Sequence, residues 1–340
     1  MKAVVIDEHG PPESLKVQER PKPVSAPGEA LVRVRACALN HLDTWVRRGV
    51  PGHSFPLPLI PGSDVAGVLD TAAPGFSPGD EVVVAPFVTC GRCDACLSGD
   101  DVRCRKYGIL GESRDGGCAE YISVPYASLF PKPPELTFVE AASVLLAPLT
   151  AYHMVATRAG VKTGDKVLIT AAAGGVGSAA IQIALDLGAK VTGVVGSPEK
   201  ATSVKEIGAG EVVVVERGQG LFDAVKAAIG KASFDVVIDS VGGEFLETGV
   251  RLLRPFGRLV TCGATAEPVA SIDLRRLFFL SLSVLGSTMG SRWEMSRVLN
   301  LVAQGRFKPT VHAVLPLERL GEAHRILEER RVIGKVVVEI

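Results

Sequence analysis

The chain has 340 residues, and its 37 Lys and Arg balance 37 Asp and Glu, for a formal net charge of zero. That balance removes any electrostatic case for nucleic acid or an acidic membrane surface as partner, and the length fits two domains of ordinary size. Seven cysteines, an odd number without an export signal, argue against a disulfide framework.

Met1 to Glu8 alternates like a strand rather than a signal peptide. The most apolar run, Leu277 to Leu285, is too short to span a bilayer. A cytoplasmic protein with no membrane association is expected.

The first third is a series of short strands. Glu29 to Cys37 alternates with period two, and Val65–Leu69 and Glu81–Ala85 are short apolar runs punctuated by Gly62, Gly67, Gly75 and Gly79. A compact, barrel-like β domain is predicted. Between Pro125 and Pro134 the texture changes. A helical pattern starts over Phe138–Leu146, and strands are predicted at Lys166–Thr170, Lys190–Val195, Glu211–Val215, Phe234–Asp239 and Gly257–Cys262, mostly with helical segments between them. Such alternation predicts an α/β unit with a doubly wound parallel sheet. A last apolar strand near Leu282–Gly286, a helix over Trp293–Ala303 and a strand-forming tail, Lys335–Ile340, complete the chain. The tail follows the doubly wound unit and is expected to return to the first domain.

One stretch in this second region carries a binding motif. The apolar strand Lys166–Thr170 runs into Ala171-Ala-Ala-Gly174-Gly175-Val176-Gly177, and an apolar helical pattern begins at once. Small residues there let the backbone approach a pyrophosphate, and the helix N-terminus offers unpaired N–H groups. Alanines replace the first glycine of the usual G-x-G-x-x-G, and an ordinary tight turn between a buried strand and helix gives the same local pattern.

The strongest local signal is Cys90-x2-Cys93-x2-Cys96-x7-Cys104. Four thiolates so spaced can close a tetrahedron around one structural Zn²⁺, leaving no open position; the alternative is four free or transiently oxidised cysteines. Cys37, Cys118 and Cys262 lack such company and are expected as small buried residues.

Taken together, the ordered motifs Gly62-x-Asp64-x-Ala66-Gly67, Gly79-Asp80-x-Val82, the four cysteines, Gly116-Gly117-x-Ala119-Glu120-Tyr121, Thr150-Ala151-Tyr152, the Ala171–Gly177 turn, Asp239-Ser-Val-Gly242-Gly243 and Gly334-Lys335-Val336 span nearly the whole chain. With these, the chain resembles the medium-chain dehydrogenase/reductase superfamily. The resemblance implies a GroES-like catalytic domain over 1–127 and 289–340, with a zinc lobe at 88–106, and a Rossmann domain over 128–288. It also implies cofactor contacts at Thr150, Ala173, Gly174, Gly175, Val176, Gly177, Gly196, Asp239, Val241, Gly263, Ala264, Ser287 and Lys335. Further, it implies a homodimer or homotetramer, with Arg275–Gly286 as the candidate interface; a buried strand gives the same apolar pattern.

The zinc alcohol dehydrogenases of this family hold a second, catalytic zinc. Its three ligand positions carry over to Asn40, Ser63 and Leu146, and the neighbouring Glu becomes Asp64. None of the three is a usual zinc ligand. The proton-relay positions become Leu42 and Trp45. His41 and Asp43 raise the alternative of a substitute metal site. The run Ala38–Gly49 and the alanine-rich turn resemble the quinone oxidoreductase branch instead, although most zinc-free members lack the cysteine lobe.

Without a Lewis acid, nothing obvious stabilises an alkoxide, whereas a quinone or enone spreads the hydride's charge onto a distant oxygen. The expected function is hydride transfer from NADPH to a small quinone or α,β-unsaturated carbonyl. Asn40 is the candidate to orient the acceptor oxygen; capping of the following helix is its other role. Trp45 and Tyr152 are candidate pocket walls, and His41, Thr44 or water candidate proton sources. Two alternatives are an alcohol dehydrogenase with an atypical or absent catalytic metal and a nucleotide-binding sensor without turnover.

Cofactor choice rests on the end of the second strand. NAD sites place an acid there, but the position is Val195, followed by Gly196-Ser197-Pro198-Glu199-Lys200. Ser197 and Lys200, with Arg217 a further candidate, suit a 2′-phosphate, so NADP(H) is expected and NAD(H) is the alternative.

Overall fold

The computed structural model describes residues 1–216, 219–230 and 233–340. Arg217 lies outside the described residues. The chain divides into two units, one made of Met1–Ala147, Ser291–Gln304 and Lys308–Ile340, the other of Pro148–Gly290 with Gly305–Phe307.

In the first unit the Glu29–Leu39 strand is the organising element. Val32 and Val34 point into the core while Arg33 and Arg35 are exposed, as the period-two pattern predicts. It pairs antiparallel with Asp64–Leu69, with Tyr121–Pro125 along its first half, and with Lys335–Glu339 along its last residues. The sheet order is Val311–Pro316, Lys335–Glu339, Glu29–Leu39, Asp64–Leu69, Glu81–Val84, Leu129–Pro131. The C-terminal tail thus returns to the first unit.

This register decides which side chains meet. Val336 lies opposite Leu39, and Ala38 opposite Asp64. One step further along, Lys335 comes level with Asn40. Three strand ends therefore deliver Asn40, Asp64 and Lys335 to one place.

Residues 128–147, expected in the second domain, fold with the first. Leu129–Pro131 pairs with Glu81–Val84, and the Phe138–Ser143 helix packs on the Glu29–Leu39 and Asp64–Leu69 strands. The helix expected over Phe138–Leu146 stops at Ser143, and a new one starts at Leu146. There the Leu146 N–H bonds the Asp64 carboxylate at 2.8 Å, a partner outside any helix.

The second unit carries six parallel strands in the order Glu211–Val214, Lys190–Val195, Lys166–Ile169, Phe234–Asp239, Leu253–Thr261, Ser283–Gly286. In chain order within the unit this is 3-2-1-4-5-6, the doubly wound arrangement whose switch point lies between the first and fourth strands. The three central strands, Lys190–Val195, Lys166–Ile169 and Phe234–Asp239, are nearly continuous buried runs rich in Val, Ile and Leu, as expected where a sheet is covered on both faces, whereas the outermost Ser283–Gly286 strand has no fully buried residue. No helix among the described residues is long and apolar enough to cross a membrane.

Candidate active site and cysteine lobe

The glycine turn leaves the central Lys166–Ile169 strand at the switch point. Ala171 adopts a positive φ of 45°, and Gly174 caps the Gly175–Asp186 helix. At Gly177 only glycine fits, because a Cβ there would lie 2.3 Å from the Ala171 carbonyl oxygen. The helix start is thereby pulled against the turn, leaving its first N–H groups directed outward. Gly175 and Val176 are half-buried on that rim, and Ala173 is buried beneath it.

Asp239, expected at the cofactor, is fully buried and acts as a hub. Its carboxylate accepts from Thr170 Oγ1 at 2.8 Å, Thr261 Oγ1 at 3.2 Å, and the Val241 and Gly242 N–H groups at 3.2 and 3.0 Å. It ties together the ends of three strands and the loop holding Val241 and Gly242. These bonds shape the rim at which its cofactor contact is expected. Thr170 and Thr261 escaped the sequence reasoning; a hydroxyl at the end of each flanking strand was the only signal.

Two of the expected cofactor contacts stand out. Thr150 Oγ1 and Ser287 Oγ are buried and have no hydrogen-bond partner. Buried hydroxyls are normally paired, so two orphans at these positions fit polar atoms of a bound ligand. Gly196 faces open space, with no atom within 4 Å of where a Cβ would be. Ser197 caps the Pro198–Ile207 helix, its oxygen accepting from the Lys200 N–H at 3.4 Å. Lys200 is half-buried, and burial lowers its pKa, with Glu199 opposing. These residues fit a dinucleotide whose phosphates meet the turn and whose 2′-substituent meets the Gly196–Lys200 end.

In the first unit, the residues carried over from the family's catalytic-zinc positions form a different construction. Asn40 Nδ2 donates to Asp64 Oδ2 at 3.1 Å, Lys335 Nζ donates to the same oxygen at 2.9 Å, and Lys335 Nζ also donates to Asn40 Oδ1 at 2.5 Å. The three side chains close a ring of hydrogen bonds. Asp64 is 0 % exposed, Lys335 5 % and Asn40 8 %. Ser63 is buried, its hydroxyl donating to the Leu110 carbonyl at 2.7 Å. Lys335, expected at the cofactor, thus has its ammonium inside this ring. Sequence reasoning named all three residues but not their mutual contact, which depends on strand register.

The His41–Arg48 helix follows Asn40 directly. The Asp43 carboxylate accepts the Asn40 N–H at 2.7 Å and the Gly62 N–H at 2.9 Å. Complete burial pushes its pKa up to about 6, although those two bonds and Lys335 oppose the rise. The Thr44 hydroxyl donates back to the His41 carbonyl at 2.8 Å, and the residue is 2 % exposed. His41 is exposed; partial desolvation, then Lys335 and Arg330, lower its pKa, with Glu328 opposing. Trp45 and, in the second unit, Tyr152 are half-buried. Among the described residues, the only close grouping of three or more His, Cys, Asp or Glu ligand atoms is the four cysteines, and Asp43 and His41 belong to no such group.

In that lobe the four Sγ atoms lie within 4.8 Å of one another. Cys93–Cys96, Cys90–Cys104 and Cys90–Cys96 sulfur separations are 3.5, 3.6 and 3.9 Å. Zn–S bonds of about 2.3 Å give a tetrahedron edge of about 3.8 Å, so the spacing fits one zinc. The Cys90 and Lys106 N–H groups point at Cys104 Sγ at 3.4 Å each, the donors a bound thiolate needs. Cys37 and Cys118 are fully buried, as expected; Cys262 is only partly covered at its surface, and burial of its thiol pushes the pKa to about 12.

Residues 26–134 match the family model described as alcohol dehydrogenase GroES-like domain, and 175–304 that described as zinc-binding dehydrogenase. An alcohol dehydrogenase of Geobacillus stearothermophilus is 31 % identical over all of both chains. The chain belongs to the medium-chain dehydrogenase/reductase superfamily. A quinone oxidoreductase of Pongo abelii is 30 % identical over 99 % of this chain and 97 % of its own. Among solved structures, one described as an NAD-dependent alcohol dehydrogenase superposes with a TM-score of 0.92 at 43 % identity, covering all of both chains. A 2-octenoyl-CoA carboxylase reductase in complex with NADP and 2-octenoyl-CoA gives 0.88 at 30 % identity, over 96 % of this chain and 82 % of that one. The superfamily member described here is an oxidoreductase of the alcohol dehydrogenase/quinone oxidoreductase type.

Proposed function

We propose that this enzyme transfers hydride from NADPH to a conjugated carbonyl, a quinone or an α,β-unsaturated carbonyl compound, without a catalytic zinc. One observation carries this reading: where relatives of the zinc alcohol dehydrogenase type place metal ligands, this chain has Asn40, Ser63 and Leu146, and the Lys335 ammonium is bonded to Asn40 and Asp64.

When bound, a reduced nicotinamide supplies the hydride, two electrons and one hydrogen, to the acceptor's far carbon. The π electrons then move onto the acceptor oxygen, and a proton completes the product. The chain's part is to hold and stabilise. The Asn40 carboxamide has one N–H beyond that bonded to Asp64, and it donates to the acceptor oxygen. His41, exposed and with its neutral form favoured by desolvation, relays the proton from water. Trp45, half-buried on the helix that follows Asn40, walls the acceptor. Gly174 to Gly177 hold the pyrophosphate, Thr150 and Ser287 present their unpaired hydroxyls to the cofactor, and Ser197 and Lys200 hold the 2′-phosphate. The four cysteines hold one structural zinc.

A panel of quinones, enones and alcohols, each with NADPH/NADP⁺ and NADH/NAD⁺, tests the proposal. Turnover of conjugated acceptors with NADPH, and no alcohol oxidation when zinc or cobalt is added, is expected. A second reading, alcohol oxidation with NAD⁺, is favoured by the 43 % identity to a protein of that description. Metal-dependent alcohol turnover would establish it and overturn the first.

A further inference from the structure

The ring of Asn40, Asp64 and Lys335 does more than fill space. Its geometry fixes the orientation of the Asn40 amide. Lysine only donates and an ionised carboxylate only accepts, so the group facing Lys335 at 2.5 Å must be the carbonyl oxygen and the group facing Asp64 at 3.1 Å the NH₂. Flipping the amide would break both bonds. Asp64 is locked from its other side by the Leu146 N–H at 2.8 Å. Every polar group of the ring is thus committed inward except one Nδ2–H of Asn40 and the third hydrogen of the Lys335 ammonium. Asp64 is sealed from solvent, and Asn40 retains the most surface of the three.

We propose that Lys335 tunes hydride acceptance through Asn40. The ammonium, bonded to the carboxamide oxygen, draws electron density from the amide and makes its outward N–H a stronger donor to the acceptor oxygen. Hydrogen bonds in series polarise one another, and an ionised donor roughly doubles the strength of the bond it makes. Asp64 keeps the ammonium in place and leaves the ring neutral overall, so the effect reaches the acceptor through the amide rather than as a bare charge. Lys335 is then a positioning and polarising residue, and Asn40 the group that touches the acceptor. The inference rests on the proposed reduction of conjugated acceptors.

The test compares the full-length wild-type enzyme with the double variant Lys335→Met, Asp64→Asn. That pair removes both charges together and leaves no buried ion alone. Its kcat and KM are measured with NADPH against aryl enones bearing ring substituents of graded electron demand. The expected result is a kcat lower by about tenfold, a steeper dependence of kcat on electron withdrawal, and a KM for NADPH within about twofold of wild type. Thermal unfolding reports whether the variant is folded. If it is not, Lys335→Gln with Asp64→Asn, which keeps neutral hydrogen-bonding groups in the ring, carries the same expectation. An unchanged kcat and substituent slope overturns the inference while leaving the proposed function standing. A loss confined to the KM for NADPH also overturns it, by placing Lys335 at the cofactor. A wild-type enzyme that reduces no conjugated acceptor overturns both.

Discussion

Arg292 grips Asp101 twice, through its own N–H at 2.9 Å and its guanidinium at 3.0 Å. Asp101 is 1 % exposed and lies between Cys96 and Cys104, so the grip ties the cysteine lobe to the first turn of the Arg292–Ala303 helix.

The lobe and this grip should therefore stabilise the fold together. Metal analysis should find about one zinc per chain, and Cys104→Ser should abolish it and lower the melting temperature. Arg292→Ala should retain the zinc yet lose about 3 kcal/mol of stability, because it strips the buried Asp101 carboxylate of its counter-charge and leaves it only the backbone N–H. Two zincs per wild-type chain would count against the reading of Asn40, Ser63 and Leu146.

Cofactor choice is testable at Lys200. Replacing a charged phosphate partner costs about 1.5–3 kcal/mol, the lower end applying to a half-exposed group. Lys200→Ala should raise the KM for NADPH about tenfold and that for NADH little. Equal rises for both cofactors would remove its assignment to the 2′-phosphate.

Two buried groups give the stability opposing dependences on pH. Asp43, pushed up from 3.8 to about 6, binds its proton more tightly in the folded state, so its contribution falls as pH rises through that window. His324 behaves oppositely. Burial, then Arg47, lowers its pKa from 6.5 to about 3, so the unfolded state binds the proton more tightly and stability rises with pH between those values. Its Nδ1 accepts from Arg47 Nε at 3.3 Å, and its Nε2 has no partner. Near pH 5 the two slopes offset one another. Denaturant titrations from pH 4 to 6 should show stability rising more steeply in Asp43→Asn and falling in His324→Gln, each by up to about 1.4 kcal/mol per pH unit. Parallel profiles in wild type and both variants would refute the assignments.

Assembly is testable at the edge of the second unit's sheet. The outermost strand, Ser283–Gly286, has one open side, and Leu274, Phe278 and Phe279 nearby are 67, 62 and 77 % exposed. An open edge beside exposed aromatics suits a second copy of the chain. Sedimentation velocity should give a dimer or tetramer, and Phe278→Glu with Phe279→Glu should shift it toward monomer. A wild-type monomer at micromolar concentration would rule the interface out.

Much of this protein lies in local pattern. The parallel strands were legible because buried Val and Ile runs alternate with helical segments, and the cysteine lobe because its ligands sit within fifteen residues of one another. The return of the tail was legible as well, since Lys335–Ile340 is strand-forming and follows a completed sheet. That Asn40, Ser63 and Leu146 stand at the positions the resemblance assigns to a catalytic zinc needed only their identities. What replaces them was decided by tertiary structure. Asn40 and Lys335 are 295 residues apart, and no periodicity links them; antiparallel register brings one level with the other. The same holds for Asp239, whose carboxylate accepts from hydroxyls at the ends of two other strands. It holds for residues 128–147 too, whose side of the boundary was set by the sheet that Leu129–Pro131 joins. Sequence fixes which groups a chain can offer, whereas hydrogen-bond partners across strands exist only once register is chosen, and that choice is made by burying the whole sheet at once.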